Sequence, residues 1–332
     1  MIQVQNLSKT FYVARREAGL KQAFSTFFRR EKEAVRALND ISFTIGEGEM
    51  VGYIGPNGAG KSSTIKVMSG ILTPDSGSCL IGGLTPWKDR KAHVQQIGVV
   101  FGQRSQLWWD VPVIDSFELL RDIYRVPEDV YRKNLSELTE MLSLQQILKT
   151  PTRQLSLGQR MRCEIAASLL HQPKVLFLDE PTIGLDAVSK LAVRDFVRQL
   201  NREHGTTVIL TTHDMQDIEA LTSRIILIGK GQILLDGSMD TLKQELSPMR
   251  TVTAACQGDT AALQLPEGVT LAGADNTQGE GLRHLTFSVD TGITPVPALI
   301  ARLSEQVSLF DLSVQSVSMD ELVLSLYRKY RI

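Results

Sequence analysis

The run Gly55-Pro56-Asn57-Gly58-Ala59-Gly60-Lys61-Ser62 follows the pattern G-x-x-x-x-G-K-[ST] and carries the chemistry of a phosphate cradle. In such a run successive backbone N–H groups curl around phosphate oxygens, and glycines permit their close approach. The helix that follows presents the positive end of its dipole. Lys61 then reaches the β- and γ-phosphates of a nucleoside triphosphate, Ser62 ligates Mg²⁺, and Ser63 joins the binding set. Asp179-Glu180 closes a second chemically pointed stretch, the apolar run Val175 to Leu178. A carboxylate at the carboxyl end of a parallel strand faces the crevice where ligands bind in open α/β sheets. Asp179 is placed there as a metal ligand, and Glu180 as the base that takes a proton from water attacking the γ-phosphate. Alone, an acidic pair after a strand is more often a turn or a helix cap, and Lys61 upstream reverses that reading. His213, after Thr206 to Leu210 and Thr211-Thr212, is placed against the γ-phosphate.

These side chains need a scaffold. Met50 to Gly55 reads as a short buried strand, and Lys61 to Leu72 as a helix stopped by Thr73-Pro74. The runs ending in Asp179 and His213 suit parallel strands covered on both faces. Between them, Asp115 to Leu170 spaces Leu, Ile and Met by three and four residues, the pattern of an inserted helical region. After Leu246-Ser247-Pro248 the texture changes. Alternating segments at Arg250 to Ala255 and Leu282 to Val289, with helix-like stretches at Pro297 to Glu305 and Met319 to Arg328, predict a small α+β unit.

Composition bounds the function. The 332 residues suit one large domain with a smaller companion, and 42% hydrophobic with 22% charged residues suits a globular chain with a substantial core. Lys and Arg number 36 against 37 Asp and Glu, so no overall charge favours nucleic acid as a partner. Cys79, Cys163 and Cys256 are far apart and odd in number, as expected of reduced thiols. No secretory leader is expected at the N-terminus, and no run approaches the ~20 apolar residues of a spanning helix.

Leu155-Ser156-Leu157-Gly158-Gln159, before a helical run and shortly before Asp179, resembles the signature of the ATP-binding-cassette (ABC) family, with Leu157 where that family usually has Gly. Other parts of the family pattern occur in order. They are Phe11, with Tyr12 beside it, for stacking on adenine; Gln103 after Ile97 to Phe101; Asp179-Glu180-Pro181-Thr182; Gly184-Leu185-Asp186; and His213. The resemblance covers residues 1 to about 240. It implies an α/β P-loop NTPase of ABC type, with a mixed sheet core, an antiparallel β subdomain and a helical subdomain at about 103–170. Its ATP-binding domain would occupy residues 1–245, ahead of a small α+β accessory domain at 246–332.

The same resemblance implies ATP and Mg²⁺ as cofactors and Glu180, His213, Gln103 and Lys61 as catalytic residues. Nucleotide contacts fall to Phe11, Tyr12, Gly55, Asn57, Gly58, Gly60, Lys61, Ser62 and Ser63, and metal contacts to Ser62, Gln103 and Asp179. A helix start carrying Ser156 and Gly158 is another anion-binding end. By resemblance it is presented, with Gln159 and Asp186, to ATP held by a second copy of the chain. The partners implied are that second copy and separate integral membrane permease subunits, at the cytoplasmic face of the membrane.

Around Gln103, family transporters receive a short helix from the membrane subunit. Trp108 and Trp109 read equally as anchors for that docking or as core residues of the helical subdomain. Between Phe11 and Val35, Leu20, Ala23, Phe24, Phe27 and Phe28 share a helical face among Arg15, Arg16, Lys21, Arg29 and Arg30. That basic amphipathic segment suits a membrane surface, a membrane partner, or packing on the catalytic core. The tail resembles accessory domains of drug and polysaccharide exporters, which implies export. A soluble ABC ATPase acting on ribosomes or DNA is the alternative; a cassette kept only as an ATP-gated interaction module is opposed by Glu180 and His213.

Overall fold

The computed structural model describes residues 1–14, 32–102, 104–241, 249–258, 260, 263–276, 282–316, 323, 326, 327 and 330. Two compact units divide the chain, residues 1–237 and 238–331. Gln103, the core of the basic amphipathic segment (15–31), the Leu246-Ser247-Pro248 boundary and most of the expected last helix (319–328) lie outside the described residues.

In the first unit the chain runs through β1 (Ile2–Ala14), β2 (Lys32–Ile45), β3 (Met50–Ile54), α1 (Lys61–Met68), β4 (Ser76–Ile81), α2 (Arg90–Val94) and β5 (Ile97–Phe101). Three helices follow, α3 (Val113–Tyr124), α4 (Glu128–Met141) and α5 (Leu157–Leu169). The chain then returns to strands through β6 (Val175–Asp179), α6 (Ala187–His204), β7 (Thr207–Thr211), α7 (Met215–Leu221), β8 (Arg224–Gly229) and β9 (Gln232–Ser238).

One sheet has the order β5-β6-β7-β3-β8-β9, with β5, β6, β7, β3 and β8 paired in parallel. Its central strands are apolar on both faces because helices cover both; every residue of β7 is buried, as are Val175–Leu178 of β6. The second sheet, β2-β1-β4, is antiparallel. Leu7, Ile41, Tyr53, Ile65, Phe177 and Ile209 join strands of the two sheets and α1 in a single core. Each fully buried aliphatic side chain there contributes roughly 1.5–3 kcal/mol relative to exposure.

The helix expected over Lys61 to Leu72 ends at Met68. Gly70, at φ +74°, turns the chain so closely on the Pro86 carbonyl that a Cβ would lie 2.7 Å from its oxygen. Apolar Ile71 and Leu72 therefore continue the sequence pattern but not the helix.

The second unit contains β10 (Met249–Gln257), β11 (Val269–Asn276), β12 (Arg283–Asp290), α8 (Val296–Ser304) and β13 (Ser308–Ser316). Its antiparallel sheet has the order β11-β12-β10-β13. Val252, Phe287 and Val289 pack with Leu299 and Leu303 of α8, giving this unit its own core. Among the described residues, no helix is long and apolar enough to cross a membrane.

Candidate functional site

The phosphate-loop sequence occupies the turn between β3 and α1, at the carboxyl edge of the parallel sheet. Gly60 is the N-cap of α1 at φ 115°, and Gly58 has φ 79°. Both are left-handed conformations that a side chain resists, so the turn needs glycine at both positions. At Gly55 a Cβ would collide with the Ile228 carbonyl of β8, so glycine is required there by packing. Asn57 and Gly58 are exposed on the outer rim, while Ser62 and Ser63 lie in the first turn of α1.

Lys61 is buried, and its Nζ donates to the Gly55 carbonyl at 2.6 Å and to the Pro56 carbonyl at 3.2 Å. The side chain thus holds its own loop in shape. Burial pushes the Lys61 pKa down, while the nearby Glu180 and Asp179 carboxylates oppose that shift. One ammonium faces two carboxylates, an excess of negative charge that a bound cation would offset.

Ser62, Asp179 and Glu180 line one cleft of about 300 Å³ together with Lys66, Ile71, Phe101, Gly102 and Arg104. Asp179 ends β6; its carboxylate accepts a hydrogen bond from the Thr211 hydroxyl, and its carbonyl accepts from Gly102 N at 2.8 Å. Glu180 leaves the strand at φ 56°, held by a bond from its N–H to the Thr211 carbonyl at 2.8 Å. His213 approaches Glu180 at 3.4 Å (Nδ1 to Oε1) and is 64% exposed. The Ser62 hydroxyl and Asp179 carboxylate are hard oxygen donors of the kind Mg²⁺ prefers. Among the described residues no group of three or more His, Cys, Asp or Glu gathers to hold a metal without help. Such a sparse donor set suits a cation that keeps waters and shares phosphate oxygens.

A partly buried ionic cluster ties together the chain segments that follow Glu180 and His213. Asp217 accepts from the Thr182 hydroxyl and from Arg194 Nε at 2.6 Å, and Lys190 reaches Asp214 at 2.5 Å. Thr182 and Thr211 were visible in the sequence only as members of the runs Asp179-Glu180-Pro181-Thr182 and Thr211-Thr212, and nothing there marked Arg104 or Asp217.

Ser156, Gly158 and Gln159 are not walls of this cleft. Ser156 caps α5 in a reciprocal box, with its Oγ accepting from Gln159 N at 3.2 Å and its N–H donating to Gln159 Oε1 at 2.9 Å. Gly158 is buried against α6, where a Cβ would collide with Ser189 Oγ. Asp186 caps α6 by accepting from Ser189 N at 2.8 Å and Ser189 Oγ at 3.0 Å, bonds that hold its pKa below the ordinary value. The two caps therefore meet through Ser189.

Phe11 and Tyr12 lie on β1, 37% and 69% exposed, opposite Val35 and Ala34 of β2. Trp108 and Trp109 are 59% and 52% exposed, which excludes the core reading: both face outward, with the Arg160 guanidinium 5.8 Å from the Trp109 ring centroid. The three cysteines are free and buried.

A family model described as ABC transporter matches residues 38–183. The Linearmycin resistance ATP-binding protein LnrL of Bacillus subtilis is 30% identical over 291 residues, covering 86% of this chain and 92% of LnrL. The uncharacterized ABC transporter ATP-binding protein YhcH of the same organism is 35% identical over 59% of this chain, which spans 63% of YhcH. Among solved structures, the ATP-binding cassette MJ0796, in a dimeric post-hydrolysis state bound to ADP and Pi, superposes with a TM-score of 0.60. It is 28% identical, over 72% of this chain and 99% of that one.

Proposed function

Given that this chain belongs to the family of ABC transporter ATP-binding proteins, we propose that it binds and hydrolyses ATP as the energy-coupling subunit of an exporter whose membrane-spanning subunits are separate chains. The observation that carries this reading is the cleft itself: Ser62, Asp179 and Glu180 share one cavity at the foot of a phosphate loop whose lysine is buried.

Phosphates of ATP lie along the N–H groups of residues 57–62 and at the start of α1, with Lys61 on the β- and γ-oxygens. Adenine stacks on the exposed face of Phe11 or Tyr12. Ser62 and Asp179, with Gln103, would hold Mg²⁺, which when bound neutralises charge on the phosphates. Glu180 accepts the proton of the attacking water, and His213, adjacent to Glu180, contacts the γ-phosphate from the rim. Because charge develops on the transferred phosphoryl group, fixed donors do most of the work, and no covalent intermediate is needed.

Ser156, Gly158, Gln159 and Asp186 lie off the cleft, so their role requires a second copy, whose ATP they meet with the dipole of α5. Two composite sites then form in an ATP-bound homodimer at the cytoplasmic face of the membrane. Trp108 and Trp109 anchor the membrane subunit, and the second unit serves a stabilising or regulatory role.

The test is the Glu180→Gln chain. Phosphate release should fall by about two to four orders of magnitude, the usual contribution of a positioned general base, while ATP binding persists. The ATP-trapped variant is then used to capture partners from detergent-solubilised native membranes. A polytopic membrane protein is the expected capture; ribosomal or DNA-associated proteins instead would overturn the exporter reading.

A further inference from the structure

Glu164 lies in the middle of α5 and is 4% exposed, a depth at which carboxylates are rare unless paired. No cation pairs with it among the described ion pairs; its partners belong to the loop that leaves β5. The Ser105 hydroxyl donates to Glu164 Oε1, Gln106 N donates to Oε2 at 3.1 Å, and Gln106 Nε2 donates to the Glu164 carbonyl at 3.0 Å. Burial raises its pKa, and the bonds from the Ser105 hydroxyl and Gln106 N, with the charge of Arg160, oppose that shift.

Both ends of this contact lead to functional surfaces. Eight residues toward the helix start, about 12 Å along the axis, stands Ser156, the N-cap of α5. In the other direction the strapped loop begins at Arg104, which bridges back to Phe101 of β5. Phe101, Gly102 and Arg104 are walls of the Asp179–Glu180 cleft, and Gly102 N is bonded to the Asp179 carbonyl.

We propose that Glu164 is a positioning residue that straps loop 104–107 to α5, so that a displacement of the α5 N-terminus moves one wall of the hydrolytic cleft in the same chain. A buried carboxylate suits this role better than an apolar contact. It accepts several directed bonds at once, so the loop follows the helix as a rigid attachment rather than sliding past it. The proposal rests on the ATPase reading above and adds an internal link between the surface offered to a second copy and the chemistry of its own site.

The experiment compares steady-state ATP hydrolysis, as separate kcat and KM values, for the full chain and for Glu164→Ala, Glu164→Gln and Ser105→Ala. We expect kcat to fall by about tenfold in Glu164→Ala, the scale of a coupling element, with KM for ATP kept within about twofold because no phosphate-loop residue is touched. Ser105→Ala should reproduce part of the loss, and Glu164→Gln should recover most of the rate because its amide oxygen still accepts. A merely structural role would lower thermal stability and leave kcat in the folded fraction unchanged, a result that overturns the proposal. A loss confined to KM overturns it too. If Glu164→Ala fails to fold, Ser105→Ala decides, since Ser105 is an exposed residue and its substitution leaves the Glu164 side chain in place while removing one of its partners. Absence of turnover in the unmodified chain would overturn the ATPase reading and the proposal with it; turnover with unchanged kcat in the variants overturns the proposal alone.

Discussion

Glu180 occupies a left-handed backbone conformation at φ 56°, and among the described residues its side chain meets His213 at 3.4 Å. Such a conformation costs a non-glycine residue on the order of 1–2 kcal/mol, and it sets the carboxylate over the cleft instead of back along the strand. Strain and catalysis are thus placed on the same residue, which separates them in a testable way. Glu180→Gly should raise the melting temperature of the nucleotide-free chain, by the equivalent of about 1 kcal/mol, while abolishing phosphate release. A lower melting temperature would show that the backbone there is not strained. The phosphate loop, Asp179 and Glu180 were all legible in the sequence because their spacing between apolar runs dictates where they emerge from the sheet. Glu164 was not: one acidic residue in a helix of mixed polarity looks like a solvent-facing position, and only the fold reveals that the loop after β5 covers it.

At the scale of elements, two helix starts are welded together. Gly158 lets α5 approach Ser189 of α6 so closely that no side chain fits between them, and Asp186 grips the same serine. Gly158→Ala should therefore destabilise the chain by about 1–3 kcal/mol through overpacking, read as a lowered urea midpoint. Adding Ser189→Gly, which removes both colliding atoms, should restore part of that loss; no recovery would show that Gly158 is needed for some other reason. The strands of the parallel sheet could be read from sequence because burial on both faces leaves continuous apolar runs. The long antiparallel pair β1 and β2 carried no comparable signal, since one face is polar, and its existence was expected only from the family resemblance. The early end of α1 was likewise hidden, because Ile71 and Leu72 satisfy the helical periodicity that Gly70 interrupts.

For the whole molecule, the separation of Ser156 from the Asp179–Glu180 cleft predicts a particular arithmetic of inactive chains. In a two-fold dimer each site takes its base from one copy and its signature serine from the other. Glu180→Gln and Ser156→Ala chains, each inactive alone, place both defects in one site when they pair, leaving the other site whole. Mixing them in equal amounts should restore turnover in the roughly half of dimers that are mixed by random pairing. A chain carrying both substitutions, mixed with unmodified chain, has a defect in each site and should gain nothing in its mixed dimers. Recovery in both mixtures, or in neither, would argue against composite sites.

The two strands that carry Phe11, Tyr12 and Val35 run on in register until Ala14 sits opposite Lys32. Directly opposed residues in an antiparallel ladder are about 4.5–5.5 Å apart, a gap that a two-residue turn closes. A two-residue turn in place of residues 15–31 is thus compatible with the register that holds the aromatic pair. The ladder is a socket whose two ends lie close enough to accept a short turn as well as a long segment. Replacing residues 15–31 with Asn-Gly should leave ATP turnover within about twofold of the full chain, because a compatible turn adds no strain. Any function lost with that exchange, such as membrane recruitment, would then belong to the segment alone.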